Sequence, residues 1–390
     1  MAKENKSGAK VPNLRFPGFE GEWEVKPIDS FIDLLSGFAF KGEEISEVKA
    51  GIPLLRGINI TEGLIRHSIE IDRYYLGTIT KLGKYFLKEG DLVIGMDGSK
   101  VGKNVALINK SDENSLLIQR VVRLRANEKS DIRFIYQNIY SNHFHKYVDI
   151  VNTSSGIPHI SATQIKAFTI GFPAKIEQQK VATFLSFMDI RIQTQNKIIE
   201  HLETLIKNFR NQIFKQKIKF KDAIDFSEWT EVRISDILKI GNGKDYKHLQ
   251  AGKVPVFGTG GFMTSVDGYL HDGETVCIGR KGTIDKPMYH DGKIWTVDTL
   301  FYTHSFQSCI PKFIFYLFQT INWLEHNEAS GVPSLSKSTI EKIKVHIPSM
   351  KEQKQIASLL TKIDQKHQNE KAILKLLEKQ KKYVVNQMFV

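Results

Sequence analysis

The sequence predicts a mixed α/β chain: two globular domains in tandem, each followed by a long helix, with the two helices pairing as an antiparallel coiled coil under pseudo-two-fold symmetry. Three observations predict it. A segment of about sixty residues recurs at a constant offset, each copy carries an apolar seam of heptad period, and the stretches between mix short apolar strands with glycine-rich turns. At 390 residues the chain exceeds one ordinary core. The expected divisions are an N-terminal tail 1–19, a first globular domain 20–172, a central helix 173–221, a second globular domain 222–347 and a C-terminal helix 348–390.

The duplication sets these boundaries. Ser155-Gly156-Ile157-Pro158-His159-Ile160-Ser161 returns as Ser330-Gly331-Val332-Pro333-Ser334-Leu335-Ser336, an offset of 175 residues. The same offset matches Pro173 with Pro348, Glu177-Gln178 with Glu352-Gln353, and Asp189 with Asp364. It ends with Asn211-Gln212-Ile213-Phe214 against Asn386-Gln387-Met388-Phe389. Weaker echoes lie upstream: Glu22-Trp23 and Glu228-Trp229, Gly90-Asp91 and Gly273-Glu274, Phe134-Ile135-Tyr136 and Phe313-Ile314-Phe315. The first globular segment is longer, mostly around Gly57 to Tyr85. Helices alike and globular segments unlike suggest two similar scaffolds presenting two different faces; drift after duplication is the alternative.

The helices follow from spacing. Val181, Leu185, Met188, Ile192, Gln195, Ile199, Leu202, Ile206, Phe209 and Ile213 step by four and three, the seam of a coiled coil. Ile356, Leu360, Ile363, His367, Glu370, Leu374, Leu377, Lys381, Val384 and Met388 repeat it, with more polar members. Polar seam residues set register more often than they do chemistry, so His367 reads as a register residue and no metal ligand set is expected. Pro173 and Pro348 precede the helices, and Ser349-Met350-Lys351-Glu352 has capping-box form. Forty residues make a rod of about 60 Å. Burying one apolar stripe against the other favours the antiparallel pair; packing on the globular domain or on a partner protein is the other possibility.

In the globular domains, Asp91–Gly95 and Thr275–Ile278 read as buried strands leading into glycine-rich turns. The turns Met96–Asn104 and Gly279–Thr283 combine backbone amides with cations, which suits phosphate oxygens and base-reading side chains. Candidate nucleic-acid contacts are therefore Lys100, Lys103 and Asn104 in the first domain and Arg280, Lys281 and Thr283 in the second. Arg56 and Asn59 after Pro53, and Lys244, Lys247 and His248 after Gly243, are candidates of the same kind; Arg suits guanine edges and Asn suits adenine. A hairpin that merely happens to be basic is the competing interpretation for each. Ser161 and Ser336 each begin a helix; shared by both halves, that segment fits backbone positioning or a structural turn.

Charge points the same way. Fifty-five Lys and Arg against 43 Asp and Glu give a net charge of +12, a positive field that draws polyanions, nucleic acid first. No amphipathic basic helix, lipidation motif or membrane span is read from the sequence, and the polar opening segment is not a secretory signal. Two cysteines are too few for a disulfide framework, so a cytoplasmic setting is expected.

No catalytic residues are identified. Gly98-Ser99-Lys100-Val101-Gly102-Lys103-Asn104 is one residue short of a phosphate loop and ends in Asn where a magnesium-binding hydroxyl belongs. No dinucleotide fingerprint, amine-methylating Pro-Pro motif, zinc-deaminase pattern or nuclease carboxylate set occurs. A nuclease or methyltransferase with an unrecognised site and a coiled-coil protein adaptor are the alternatives to a nucleic-acid binder.

Pro12-Asn13-Leu14-Arg15-Phe16-Pro17-Gly18-Phe19-Glu20-Gly21-Glu22-Trp23, followed by the duplicated Pro-x-x-x-x-Glu-Gln helices, resembles the specificity subunits of type I restriction–modification systems, over nearly the whole chain. The resemblance implies two target recognition domains, each reading one half of a split asymmetric site in double-stranded DNA, and paired helices that set the spacing. It also implies docking of two modification subunits, with restriction subunits added. The seam residues Val181, Leu185, Met188, Ile192, Ile199, Leu202, Ile206, Ile356, Leu360, Ile363, Leu374 and Leu377 would then serve both spacing and docking. S-adenosylmethionine, ATP and magnesium would belong to the partners, and this chain would bind no cofactor.

Overall fold

The computed structural model describes residues 11–152, 157–218 and 228–390; Ser155 and Gly156 of the first repeat motif, and the expected boundary at 221–222, lie outside the described residues. The chain forms two compact units. One comprises residues 1–195 and 374–390, the other residues 196–373. Each therefore holds one globular head together with a segment of both long helices, Lys175–Phe214 and Met350–Met388.

The heads repeat one plan. In the first, a four-stranded antiparallel sheet runs in the order Ile32–Ser36, Val121–Ala126, Leu92–Gly95, Val105–Leu107. In the second the order is Lys239–Asn242, Leu300–His304, Thr275–Gly279, Met288–His290. The strands Leu92–Gly95 and Thr275–Gly279 are buried throughout, which explains their continuous apolar runs: both faces are covered. Leu92 and Ile94 pack with Phe134 of the helix Ile132–Ile139, while Val93 faces the other way toward Leu55 and Ala106. Val276 and Ile278 pack with Phe313 of the helix Pro311–Phe318, and Cys277 turns toward Ile294 and Leu300. A smaller second sheet contains one parallel contact in each head, Leu54 beside Leu116 and Val256 beside Trp295.

Each head is closed by a ribbon between its first strand and the strand just before its long helix: Glu24–Pro27 with Thr169–Phe172, and Thr230–Arg233 with Lys344–Ile347. The repeated tryptophans begin these ribbons. Trp23 meets Phe134 edge-on at 5.9 Å, and Trp229 meets Phe313 at 6.2 Å.

The polar residues carried over at the 175-residue offset have a shared role, fastening head to helix. Gln178 donates to Pro173 O (2.9 Å) and Lys129 O (3.2 Å) and accepts from Asp131 N (3.0 Å). Gln353 donates to Pro348 O (3.0 Å) and Ser308 O (3.1 Å) and accepts from Ile310 N (3.0 Å). Asp189 accepts from Gln137 (2.6 Å) and Asp364 from the Tyr316 hydroxyl (2.9 Å). Glu177 accepts from Nε and Nη2 along one edge of Arg15, at 2.8 Å each, and Glu352 accepts from the Trp229 indole at 3.3 Å.

Within each unit the helix segments run antiparallel. In the first, Val181 and Leu185 share a core with Val384, Val385 and Met388, and farther along Asp189 bonds Lys381. In the second, Ile213 shares a core with Ile356 and Leu360, and Glu203 pairs with His367 (3.0 Å) and Lys371 (2.8 Å). The repeated terminal phenylalanines complete it: Phe389 packs on Phe134 at 5.5 Å and Phe214 on Phe313 at 5.4 Å. The heptad positions from Val181 to Ile213 and from Ile356 to Met388 are all buried or half-buried. His367 is half-buried in the seam and bonds Glu203; no group of three or more His, Cys, Asp or Glu among the described residues could hold a metal.

Candidate nucleic-acid interface

Two sequence features singled out separately, the glycine-rich basic turn and the Ser-Gly-x-Pro segment, are brought together in each head. In the first, Gly98 N donates to Pro158 O (3.1 Å), Ile160 N to Met96 O (2.9 Å), and Asp97 bridges to His159. In the second, Gly282 N donates to Pro333 O (2.8 Å), Leu335 N to Arg280 O (2.9 Å), and Lys281 bridges to Ser334. A third segment closes the corner: Met96 N donates to Arg120 O (2.9 Å) and Arg280 N to Thr299 O (2.8 Å). The bonds and bridges match one for one, so Asp97 corresponds to Lys281, His159 to Ser334 and Arg120 to Thr299. Gly98 and Gly282 sit at φ +102° and +94°, a conformation that side chains rarely adopt.

Much of each turn's backbone is already spent within the protein: Gly98, Val101, Lys103, Asn104, Arg280, Lys281 and Gly282 all donate to protein carbonyls. What the corners offer is side chains.

In the first head Lys100 and Lys103 are exposed and Asn104 half-buried. Lys100 pairs with Glu62 at 3.0 Å, which ties the turn to the inserted segment after Gly57. Arg56 is half-buried and donates to Ile71 O at 3.2 Å. Asn59 is not a base contact: it is 1% exposed, accepts from Arg56 N (3.1 Å), and donates to Arg66 O (3.2 Å) and Asp72 (2.9 Å). The insertion folds over it, and its amide satisfies the loop's own backbone. Burial and the nearby Lys103 hold the His145 imidazole below its ordinary value, so the neutral form is favoured there.

In the second head Arg280 and Lys281 are exposed and Thr283 half-buried. Arg280 and Lys281 line an open cleft of about 640 Å³ with Asn242, Ser334, Ser336 and Lys337. Lys244, Lys247 and His248 are exposed on the adjoining loop. That loop can approach only because Gly243 has no side chain: a Cβ there would lie 1.9 Å from Val297 O. Lys244 O accepts from the Trp295 indole at 2.9 Å, and His248 meets the same ring at 5.7 Å. Burial first, and then His271, Lys239 and Lys337, lower the His304 pKa.

Sequence reasoning missed Arg120 and Asp97. Arg120 has φ +65° and a side chain 73% exposed, and it pairs with Asp97 at 3.2 Å. Asp97 also bonds the His159 imidazole. No local pattern marked Arg120, which precedes an ordinary strand.

The seam residues are buried or half-buried, and Met188 and Leu377 also line a cleft beside Phe184 and Phe187. The apolar residues that the long helices leave exposed are others, among them Phe187 (65%), Leu205 (60%), Leu376 (66%) and Tyr383 (64%). No described helix is long and apolar enough to cross a membrane.

Comparison with known proteins places these features in context. The family description "Type I restriction modification DNA specificity domain" matches twice, at residues 20–204 and 226–379. The chain is 33% identical to the EcoAI type I restriction enzyme specificity subunit of Escherichia coli, over 45% of this chain and 29% of that protein. It is 25% identical to the putative MjaX specificity subunit of Methanocaldococcus jannaschii, over 94% of this chain and 92% of that one. The matched part spans only 29%, 37% and 47% of the EcoAI, EcoBI and MjaVIII subunits. Among solved structures, the S subunit of a type I restriction–modification system from M. genitalium has the same fold, with a TM-score of 0.68 at 20% identity over 97% of this chain and 99% of that one.

Proposed function

The chain belongs to the type I restriction modification DNA specificity domain family, and from that premise we propose that it is the non-catalytic, sequence-reading subunit of a type I restriction–modification complex. Each head reads one half of a split, asymmetric site in double-stranded DNA, and the two long helices space the halves. The observation that carries this is the duplicated corner: one backbone arrangement presents Asp97, His159 and Arg120 in one head and Lys281, Ser334 and Arg280 in the other. A shared scaffold with unlike exposed side chains fits two different addresses, since base edges specify while phosphate contacts position. The net charge of +12 supports the affinity that both heads need.

The partners follow from the same premise. Two modification subunits would bring S-adenosylmethionine and methylate the site, and restriction subunits would bring ATP and magnesium. This chain would hold none of these cofactors. Docking of the modification subunits falls to the outward apolar residues of the long helices, Phe187, Leu205, Leu376 and Tyr383 among them, which the helix seam leaves uncovered.

The test is to express the chain with its modification partners in a methylation-deficient host and sequence the methylated bases. A split motif is expected. Exchanging residues 20–172 for those of a relative should change one half of the motif only. Adding one heptad to both long helices, about 10 Å, should widen the spacer by about three base pairs. If the head exchange altered both halves together, the modular assignment would be wrong.

A further inference from the structure

Both corners carry one exposed arginine, but they supply it from different strands. In the second head it is Arg280, at the end of the central strand; the residue in Arg280's place in the first head is Met96, which is buried. The first head's arginine is Arg120, on the neighbouring segment, where the second head has Thr299. We propose that Arg120 is a specificity-determining residue of the first head, its guanidinium reading a guanine in the major groove while Asp97, steadied by His159, fixes its direction. This deepens the DNA-reading function above and rests on it.

Three observations converge. Arg120 adopts φ +65°, a conformation that glycine and asparagine tolerate and a long side chain rarely takes. Its carbonyl is locked by Met96 N, so the side chain leaves the corner in a set direction. That side chain supports no core, being 73% exposed. An exposed residue gains no packing from such a backbone, and unusual backbone conformations concentrate where a side chain must be aimed.

The second observation is the carboxylate. Asp97 holds Arg120 by one contact, NH1 to Oδ2 at 3.2 Å, and its other oxygen bonds His159 Nδ1. The guanidinium has five donors in a planar fork. With NH1 occupied on one side, Nε and NH2 have no hydrogen-bond partner among the described residues. A free planar edge with parallel donors matches the O6 and N7 acceptors of guanine, which an ammonium cannot do in the same way. An incidental surface ion pair would account for the contact but not for the backbone conformation.

The third is position. Arg120 stands where the glycine turn and the Pro158 segment meet, the place from which the second head projects Arg280 beside its cleft. The two heads thus aim a guanidinium from the same corner along different paths, as two different half-sites require.

Arg120→Gly is the decisive variant, because glycine takes φ +65° without strain and the fold should melt at or above the wild-type temperature. Arg120→Asn serves as a second variant that also tolerates this φ. With the chain assembled with its modification partners, Kd is measured for duplexes carrying the methylated motif and every single-base change in it. The wild type should lose about 5- to 150-fold when one particular G·C pair of the first half-site is replaced. Arg120→Gly should bind all four pairs there alike, with discrimination in the second half-site intact, and Arg120→Lys should not restore the preference. Unchanged discrimination at every position in the glycine and asparagine variants would overturn the proposal. So would a uniform loss on all sequences, which would make Arg120 a phosphate contact. A wild-type complex without any sequence preference would instead defeat the DNA-reading function itself, before any substitution is made.

Discussion

Replacing Gln353 by alanine should unfasten the second head from its helix at a cost that can be worked out. The side chain is fully buried. Its amide donates to Pro348 O at 3.0 Å and Ser308 O at 3.1 Å, and accepts from Ile310 N at 3.0 Å. Truncation strands one backbone N–H and two carbonyls. A buried polar group left without a partner costs about 1–3 kcal/mol. The carbonyls recover part of this if water enters the vacated space, so we expect about 3 kcal/mol in all. The strained neighbour Ser308, at φ +50°, loses its tether too. With a urea m-value of about 2 kcal/mol/M, the midpoint should fall by about 1.5 M. Equilibrium unfolding followed by tryptophan fluorescence suits the question, because Trp323 is buried in the second head and Trp23 in the first. Gln178→Ala should move the first head's transition by a similar amount, since its three bonds are the same. Gln365→Ala, exposed on the same helix as Gln353, should shift it by under about 0.5 kcal/mol. A Gln353→Ala midpoint no lower than that of Gln365→Ala would refute the fastening role.

Two further outcomes separate structure from recognition in the first head. Asn59→Ala should destabilise that head by about 2–3 kcal/mol by taking the side-chain partner from Arg56 N and Arg66 O and leaving Asp72 with His67 alone of the two, and should leave the methylated motif unchanged; an altered base preference in a stable protein would contradict its assignment as a loop buttress. His67 bonds Asp112 at 2.7 Å and Asp72 at 3.1 Å. Burial lowers its pKa, but these bonds and charges outweigh that and leave it raised above 6.5. The protonated form is therefore favoured by the fold: its stabilisation is complete below the unfolded value and is lost as pH rises through the raised one. Hydrogen exchange of the inserted segment should be slower at about pH 6 than at about pH 8.5 after correction for intrinsic rates, and His67→Gln should flatten the difference.

The helices and the tandem of heads were legible because each is written in neighbours along the chain; the antiparallel sense was favoured by symmetry and fixed by packing across it. A heptad step, a proline before a helix and a register of 175 residues need no knowledge of what lies across space. The buried strands Leu92–Gly95 and Thr275–Gly279 were legible for the same reason. The repeated Glu177-Gln178 and Glu352-Gln353 were visible without their purpose: identical letters do not say that a glutamine side chain will turn inward to tie three backbone groups.

The candidate site was legible only in outline. Arg280, Lys281 and the loop after Gly243 could be picked out because basic residues cluster beside glycines in sequence. Asn59 was drawn the other way, since a loop closing over it gives its amide better partners inside than out. Arg120 reaches Asp97 and His159 from separate segments. By itself, then, the sequence determined the periodic and duplicated elements, whose free energy comes from local geometry and an apolar stripe. Tertiary structure alone decided which polar side chains face solvent and which face each other, because that choice depends on the burial of groups far apart along the chain.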